Sequence, residues 1–290
     1  MFSGDLLTFG SDPEVFAYYT KSDGLEYVEP PAYFRYELNV PHKYDPKHSA
    51  FIERDGIVVM EDGVAFEYTL PPTTNAKDLF TEIKQANSML GEMLSKHNYS
   101  MLIKPVINYE VEKWIDKPED YSSCLIFGCD PDMDAIEEDY SCTVENALLH
   151  TFRYGGGHFQ IGSYDPKVVE LIHEYWFPMV RLMAVLVGTV AIKHTPYPEL
   201  EKQRAFRYGR PGRYRIQAWG LEYRTPSNSW TNKEEALEEM VEGAKLAFEL
   251  LQNPKRGKEL LKAKLDDTIQ AIKTANSDLA TQILQDSKVF

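Results

Sequence analysis

Charged side chains inside apolar, strand-like segments limit most strongly what this chain can fold into. The segment RIQAWGLEYRTPSNSW, residues 215–230, has the pattern of a buried strand pair, yet it carries Glu222 and Arg224. Residues i and i+2 of a strand point to the same face of a sheet, so these two opposite charges are predicted to share one space. They either neutralise each other as a same-face ion pair or face a charged ligand.

Four more polar residues lie in similar surroundings. Asp12 and Glu14 lie in GSDPEVF, Glu67 in VAFEY and His158 in GGGHFQIG. Burying a carboxylate is unfavourable unless it is paired or bound to a cation. Hard divalent cations prefer carboxylate oxygens, and Mn²⁺ also accepts imidazole. We therefore predict that these four residues and Glu222 are ligands of Mg²⁺ or Mn²⁺.

Each of these features also has an ordinary structural interpretation. Asp12-Pro13 is a common turn dipeptide, Glu67 fits the wet face of an antiparallel sheet, and His158 fits a hydrogen-bonded core histidine. For these interpretations to hold, each of four separate segments would have to carry its buried polar residue for an unrelated reason. The shared cation site is therefore the favoured hypothesis.

An arginine-rich stretch supplies the second half of the predicted site. In a chain with a net charge of −14, the only acid between residues 204 and 224 is Glu222. The planar guanidinium group matches phosphate oxygens, and paired divalent cations commonly act on phosphate. The stretch therefore predicts a nucleoside triphosphate bound with metal ions. Its six arginines are Arg204, Arg207, Arg210, Arg213, Arg215 and Arg224.

The overall charge and composition exclude several classes of protein. The net charge of −14 argues against general nucleic-acid binding, which usually needs a basic surface. Cys124, Cys129 and Cys142 have no zinc-ligand spacing and are odd in number, as expected of reduced cytosolic thiols. No signal peptide is apparent, and the apolar run Leu182–Ile192 is shorter than the ~20 residues of a membrane span. We expect a cytoplasmic protein without membrane contact.

Strand-like and helix-like segments alternate along the chain without internal repeats. This order predicts an α+β fold: a curved, largely antiparallel sheet with a polar concave face and helices on its outer face. A hairpin is predicted at Asp62-Gly63, and a kink at Pro178 in a long buried helix. The other predicted elements are a strand at residues 14–19, an irregular loop at 29–49, an amphipathic helix at 75–97, a strand at 99–107, the buried helix at 166–192 and charged helices at 232–253 and 256–287.

The order of these motifs resembles a known superfamily. D-P-E, a strand glutamate, G-G-x-H-x-x-I-G, an arginine-rich stretch and G-x-E-Y-R-T-x-S-N-x-W are similar to motifs of the glutamine synthetase-like carboxylate–amine ligases. The chain more closely resembles the phage-type carboxylate–amine ligase type 2 family, which also has a motif similar to FGCDPDMDA. The likeness runs from about Phe9 to Trp230. It implies a ligase domain at residues 1–253, followed by a helical extension at 254–290.

The resemblance also implies a role for each predicted ligand. Asp12 and Glu14 would match the paired acids of the first strand, one for each metal. Glu67 would match a ligand of the metal near the acceptor site, and His158 and Glu222 the ligands of the metal near the nucleotide phosphates. Arginines would hold the phosphoryl group (Arg224, with Arg213 or Arg207) and contact the nucleotide (Arg204, Arg210 and Arg215).

Some positions depart from the superfamily pattern. Many relatives have H-x-H after the glycines, where this chain has Gln160, and glutamine synthetases have glutamate in place of Asp12. Arg210 and Gln217 stand where the type 2 family favours lysine. These differences bear on the second phosphate contact and on the binding of the nucleotide.

The resemblance implies an ATP-dependent carboxylate–amine ligase that forms an amide bond through an acyl phosphate. Its substrates would be small-molecule or peptide carboxylates and amines, in the cytoplasm of an infected host cell if the chain comes from a phage. Two other classes remain open: a catalytically inactive ligase-like binding or assembly protein, which Gln160 favours, and a metal-dependent phosphate-binding hydrolase. The last helices fit either packing or a homo-oligomer surface.

Overall fold

A computed structural model describes residues 2–22, 24–38, 50–116, 125, 133–137 and 150–288. Of these described residues, 50% are helical and 23% are in strands. All strand pairs in the described part of the chain are antiparallel. The α+β class predicted from the sequence is therefore confirmed.

The described part of the chain contains thirteen strands and nine α-helices. The strands are β1 (Thr8–Ser11), β2 (Glu14–Thr20), β3 (Glu26–Glu29), β4 (Ile52–Arg54), β5 (Ile57–Asp62), β6 (Ala65–Thr69), β7 (Ser100–Leu102), β8 (Val106–Asn108), β9 (Met133–Asp134), β10 (Phe152–Tyr154), β11 (Phe159–Gly162), β12 (Arg213–Gln217) and β13 (Gly220–Tyr223). The helices are α1 (Pro31–Leu38), α2 (Ala76–Ser95), α3 (Pro166–Glu174), α4 (Trp176–Met183), α5 (Thr189–His194), α6 (Pro198–Ala205), α7 (Glu234–Leu251), α8 (Pro254–Thr274) and α9 (Ser277–Ser287), and a π-helical turn, Ala184–Gly188, joins α4 to α5.

The strands form two main sheets and a small ribbon. One sheet has the order β1-β11-β13-β12-β9, the other β3-β2-β6-β5-β4 with β7 also on β2, and β8 pairs with β10. The chain leaves the five-stranded sheet at Ser11 and enters the six-stranded sheet at Glu14. Asp12 and Pro13 therefore lie where the two sheets join.

A row of polar positions crosses the five-stranded sheet. The strand register places Gly10 opposite Gln160, Gln160 opposite Glu222, and Glu222 opposite Arg215. Because side chains alternate along a strand, the residues on either side of this row face the other way. Most of them, such as Phe9, Phe159 and Leu221, are fully buried apolar side chains of the main core, whereas Ile216 at the end of β12 is exposed. This alternation directs the polar row to one face and the core to the other.

The long apolar helix is interrupted earlier than predicted. Pro178 lacks the N–H that would bond to the carbonyl four residues back, and the helix breaks at Tyr175 (φ −114°, ψ 30°), three residues before the proline. Trp176–His194 is long and apolar enough to be a candidate membrane span, but 72% of its most apolar window is buried inside the protein. This burial agrees with the predicted core helix and with a soluble protein.

Three sequence predictions of secondary structure are wrong. The predicted loop at 29–49 contains α1, whose Phe34 is fully buried. The predicted strand at 99–107 is two strands, β7 and β8, and Pro105 lies in the gap between them. The predicted helix at 256–287 is two helices, because Ala275 adopts the left-handed conformation (φ 51°) and Asn276 caps α9.

The last two helices pack on the same core as the rest of the chain. Asn253 caps α8, which begins at Pro254, so a helix begins where the sequence predicted a boundary. Buried residues of α8 and α9, including Leu260, Ile272 and Ile283, belong to the main hydrophobic core.

Candidate functional site

Three predicted ligands meet beside the five-stranded sheet. Asp12 follows β1, His158 precedes β11, and Glu222 lies in β13. Each offers one ligand atom within 4.8 Å of the others. His158 Nδ1 lies 3.0 Å from Asp12 Oδ1 and 3.4 Å from Glu222 Oε1. We refer to these three residues as group A.

A second set of three acids lies on the six-stranded sheet. Glu14, Asp62 and Glu67 also offer ligand atoms within 4.8 Å of one another, and we refer to them as group B. Glu14 pairs directly with Glu67 across β2 and β6. Asp62 pairs with Ala65 at the end of the hairpin, so it faces the same side of the sheet as Glu67.

Asp62 is the member of these groups that sequence reasoning missed. Asp62-Gly63 was interpreted only as a turn signal. The register instead makes Asp62 the last paired residue of β5, with Gly63 (φ 57°) and Val64 in the turn. If the turn had been assigned to Gly63 and Val64 alone, the sequence would have predicted that Asp62 and Glu67 lie on the same face of the sheet.

The glycine loop GGG, residues 155–157, brings the two groups together. The backbone N–H of Gly156 donates to Glu14 Oε2 at 2.7 Å. A Cβ atom at position 156 would lie 2.8 Å from His158 Nε2 and 3.1 Å from Glu14 Oε1. The loop therefore needs glycine here because it passes between a member of group A and a member of group B.

Burial makes negative charge costly in both groups. It raises the pKa of Asp12 to about 7, although the positive charge of Arg224 opposes the shift. Burial, followed by the negative charge of Asp62, raises the pKa of Glu14 to about 8. A bound cation would offset this cost. Two carboxylates with an imidazole in group A, and three carboxylates in group B, suit Mg²⁺ or Mn²⁺.

The Glu222–Arg224 pair forms the same-face ion pair that was one of the two alternatives predicted from the sequence. Arg224 Nη1 donates to Glu222 Oε1 and lies 3.4 Å from His158 Nδ1, and its Nη2 donates to the Tyr208 hydroxyl at 3.1 Å. Gln217 Nε2 donates to the other oxygen of Glu222 at 2.8 Å. The pair is thus a buried ion pair, and its glutamate is a member of group A.

A cavity of about 480 Å³ borders both groups. Its lining includes Asp12 and Glu222 of group A and Glu67 of group B, together with the polar row described above. Tyr164 and Trp219 also line it and are 76% and 40% exposed. The cavity therefore combines cation ligands, an arginine and aromatic rings in a volume that suits a small-molecule ligand.

The six arginines of the sequence stretch do not converge. Arg215 lines the cavity and Arg224 contacts group A, while the other four point to separate partners. Arg207 Nη1 lies 3.0 Å from His150 Nε2, Arg210 Nη1 donates to Glu137 at 2.7 Å, and Arg213 Nε lies 3.6 Å from Asp134. The sequence shows only that these arginines are close together in the chain. In the structure, α6, the loop that follows it and β12 direct them to different partners.

Arg204 has a positioning role in place of the predicted nucleotide contact. It is 1% exposed, and its guanidinium donates to the backbone carbonyls of Thr225 and Pro226. These residues directly follow Arg224. Arg204 therefore holds the backbone that carries Arg224.

The segment SNSW, residues 227–230, supports the glycine loop and Glu14. Asn228 Nδ2 donates to the carbonyl of Glu14 at 2.7 Å, and Trp230 Nε1 donates to the carbonyl of Gly157 at 2.8 Å. The hydroxyls of Ser227 and Ser229 donate to the buried carboxylate of Glu201. The polar residues of this motif thus position other parts of the site.

Part of the predicted acidic region lies outside the described residues. This applies to Cys124, Cys129 and Cys142, to residues 127–132 of FGCDPDMDA, and to residues 138 and 139 at the end of the acidic stretch from Asp130 to Asp139. Asp134 is described: it is buried, and its Oδ1 accepts the backbone N–H groups of Ile136 and Glu137. Its role in the described structure is to shape a turn.

Comparison of the chain with models of known protein families found no match, and comparison with curated proteins found no significant match.

Proposed function

We propose that this protein is an ATP-dependent carboxylate–amine ligase with a glutamine synthetase-like site for two divalent cations. The observation that carries the proposal is the division of six ligands into groups A and B. The two groups lie at different sheets, each has a member beside Gly156 of the glycine loop, and each has at least one member in the lining of one cavity. This division matches the roles that the sequence resemblance implies, with Asp12 in one group and Glu14 in the other.

Group A would hold one cation and group B the other. Mg²⁺ or Mn²⁺ would neutralise charge on the nucleotide phosphates and polarise the phosphoryl group during transfer. The carboxylates provide the compensating negative charge. The imidazole of His158 lies against Asp12 and Glu222, and these contacts fix its orientation.

ATP would occupy the cavity of about 480 Å³. Its phosphates would lie toward Glu222 and Arg215 in the polar row, where a cation and a guanidinium group can both meet phosphate oxygens. The rings of Trp219 and Tyr164 line the same cavity and suit stacking against a planar base.

The reaction would proceed in two balanced steps. A carboxylate oxygen of the substrate attacks the γ-phosphorus, the bond from phosphorus to the β–γ bridging oxygen breaks, and ADP leaves. The amine then attacks the carbonyl carbon of the acyl phosphate, the carbon–oxygen bond to phosphate breaks, and inorganic phosphate and a proton are released. Arg224, held by Tyr208, would stabilise charge on the phosphoryl group.

The choice of a ligase over a hydrolase rests on the whole motif order, since both classes can use paired cations. Gln160 does not interrupt group A, because it lies beside Glu222 in the polar row while His158 supplies the imidazole. This arrangement favours an active enzyme over an inactive relative. We place the enzyme in the cytoplasm, where ATP and Mg²⁺ are plentiful.

Phosphate release from ATP tests the proposal. Purified protein with Mg²⁺ is incubated with ATP and a panel of carboxylates, with and without a panel of amines, and products are identified by mass spectrometry. A ligase forms amide product together with ADP and phosphate. Phosphate release without amine and without amide product indicates the hydrolase, and no turnover of any panel member indicates the inactive relative.

A further inference from the structure

A second hollow lies apart from the proposed catalytic cavity. Its volume is about 670 Å³, and it shares no lining residue with that cavity. We call it the outer hollow. Its lining comes from the turn after β9, from α6 with the loop that follows, and from the end of α8: Glu137, Glu199, Lys202, Gln203, Ala205, Phe206, Arg210 and Lys273.

The outer hollow is locally positive in an acidic protein. Its lining contains three cations and two acids, whereas the whole chain has a net charge of −14. Arg210 is one of the arginines that the catalytic site does not use. The hollow is therefore one of the places on the described surface that would attract an anion.

One carboxylate fixes two of the three cations. Glu137 Oε2 accepts from Arg210 Nη1 at 2.7 Å, and Glu137 Oε1 accepts from Lys273 Nζ at 2.7 Å. Each contact uses one N–H of a group that has several. The two cations are thus held side by side with donors left for a ligand, and little side-chain entropy is lost when it binds.

An aromatic ring lies in the same hollow. Phe206 is 76% exposed, whereas phenylalanine is usually buried. A ring beside fixed cations is the combination that recognises a planar base carrying phosphate, because bases stack on aromatic side chains and guanidinium and ammonium groups bind phosphate.

We propose that the outer hollow is a second binding site, for a nucleotide, and that it needs no divalent cation. The phosphates meet Arg210, Lys273 and Lys202, and the base stacks on Phe206. The site is independent of the proposed ligase function, because none of its residues belongs to group A or group B.

Binding of ATP with a chelator present tests this proposal, because the chelator removes the cations on which the catalytic cavity depends. Titration calorimetry compares ATP, adenosine and inorganic tripolyphosphate as probes. The Glu222→Gln variant serves as background, since it disables group A. We expect ATP to bind wild type and Glu222→Gln equally, and adenosine to bind more weakly than ATP.

Two substitutions in the hollow identify the site. Lys273→Ala should weaken ATP and tripolyphosphate about tenfold, since a charge-assisted hydrogen bond is lost, while Lys273→Arg should restore binding. Phe206→Ala should weaken ATP and leave tripolyphosphate unchanged. Lys258→Ala is the matched control, an exposed lysine of the same helix outside the hollow, and should bind as wild type does.

Three results would overturn the proposal: no ATP binding in the presence of chelator, wild-type binding by Lys273→Ala, or loss of binding in Glu222→Gln. Equal weakening of ATP and tripolyphosphate by Phe206→Ala would refute the base-stacking part. Thermal melts of every variant confirm that each is folded. The two proposals fail separately. Amide formation without chelator-resistant ATP binding would refute only the outer hollow as a nucleotide site, and chelator-resistant ATP binding without amide formation would refute only the ligase.

Discussion

At the scale of single residues, Arg224 links group A to Tyr208. It pairs with Glu222, lies 3.4 Å from His158 Nδ1 and donates to Tyr208. A guanidinium group can serve several partners in one plane, whereas an ammonium group is a compact point charge. The identity of this residue, and not only its charge, should therefore matter for activity.

Arg224→Lys should lower kcat by more than about tenfold, or ~1.4 kcal/mol in the barrier, because the planar fork is lost. Arg54→Lys is the matched control, since Arg54 is exposed, pairs with Asp55 and lines neither the catalytic cavity nor the outer hollow, and it should keep kcat. Steady-state kinetics of both variants provides the measurement. An Arg224→Lys enzyme with wild-type kcat would mean that Arg224 serves only as the partner of Glu222.

The buried acids predict how stability depends on pH. The folded state raises the pKa of Glu14 from its ordinary 4.5 to about 8 and that of Asp12 from 3.8 to about 7. Below about pH 3 both acids are largely protonated in both states. Between pH 4 and 8 the unfolded chain releases protons that the folded chain retains, so the free energy of unfolding should fall as pH rises.

Denaturant melts of metal-free protein across this pH range measure the slope. Glu14→Gln should flatten it, because the amide cannot ionise yet can still accept the N–H of Gly156. A slope of unchanged steepness in Glu14→Gln would show that other groups control the pH dependence.

At the scale of elements, the glycine loop decides whether groups A and B can meet. Gly156→Ala should abolish Mn²⁺ binding, because the added Cβ would lie 2.8 Å from His158 Nε2 and 3.1 Å from Glu14 Oε1. Both contacts are to side chains, so the fold can adjust while the ligands are displaced. Calorimetric titration with Mn²⁺ measures the loss.

Gly91→Ala is the control for this substitution. Gly91 lies within α2, and a Cβ there would meet nothing within 4 Å. This variant should bind Mn²⁺ as wild type does and gain about 0.5–1 kcal/mol in stability, since glycine weakens a helix interior. If Gly156→Ala bound Mn²⁺ as tightly as wild type does, the glycine loop would not be needed for cation binding.

At the scale of the whole molecule, groups A and B lie at two different sheets, which follow one another in the chain at Asp12-Pro13. A ligand that binds only the folded state raises the melting temperature. Mg²⁺ or Mn²⁺ with ATP should therefore raise it in wild type, and Glu14→Ala and Glu222→Ala should remove the shift.

Glu235→Ala is a control for this melting experiment. Glu235 belongs to a third cluster, with His194 and Glu239, in which Glu239 is already bonded to Lys193. Its substitution should leave the shift intact. A wild-type shift in both Glu14→Ala and Glu222→Ala would disprove the assignment of groups A and B.

The C-terminal helices are predicted to be necessary for stability. Leu260, Ile272 and Ile283 are at most 1% exposed within the main core, and deleting one such side chain typically costs about 2–5 kcal/mol. A chain truncated after Asn253 should therefore be insoluble or rapidly digested by protease. A truncated protein with the wild-type melting temperature would show that residues 254–290 are a separate unit.

The sequence alone predicted the α+β class and five of the six residues that form groups A and B. A charge buried in a strand is unfavourable without a partner. A charged residue within an apolar, strand-like segment can therefore be recognised as a candidate site residue from the sequence alone. Likewise, the hairpin at Asp62 and the beginnings of α2 and α8 follow from local turn and capping preferences.

The sequence could not predict which residues face one another; this required the tertiary structure. It placed Asp62 beside Glu14 through strand register, and it separated the six arginines. It assigned Arg204 to backbone carbonyls and Arg210 to the outer hollow. The physical reason is that charge and periodicity are local properties, whereas the side to which an arginine turns depends on strand pairing and helix packing between segments far apart in the chain.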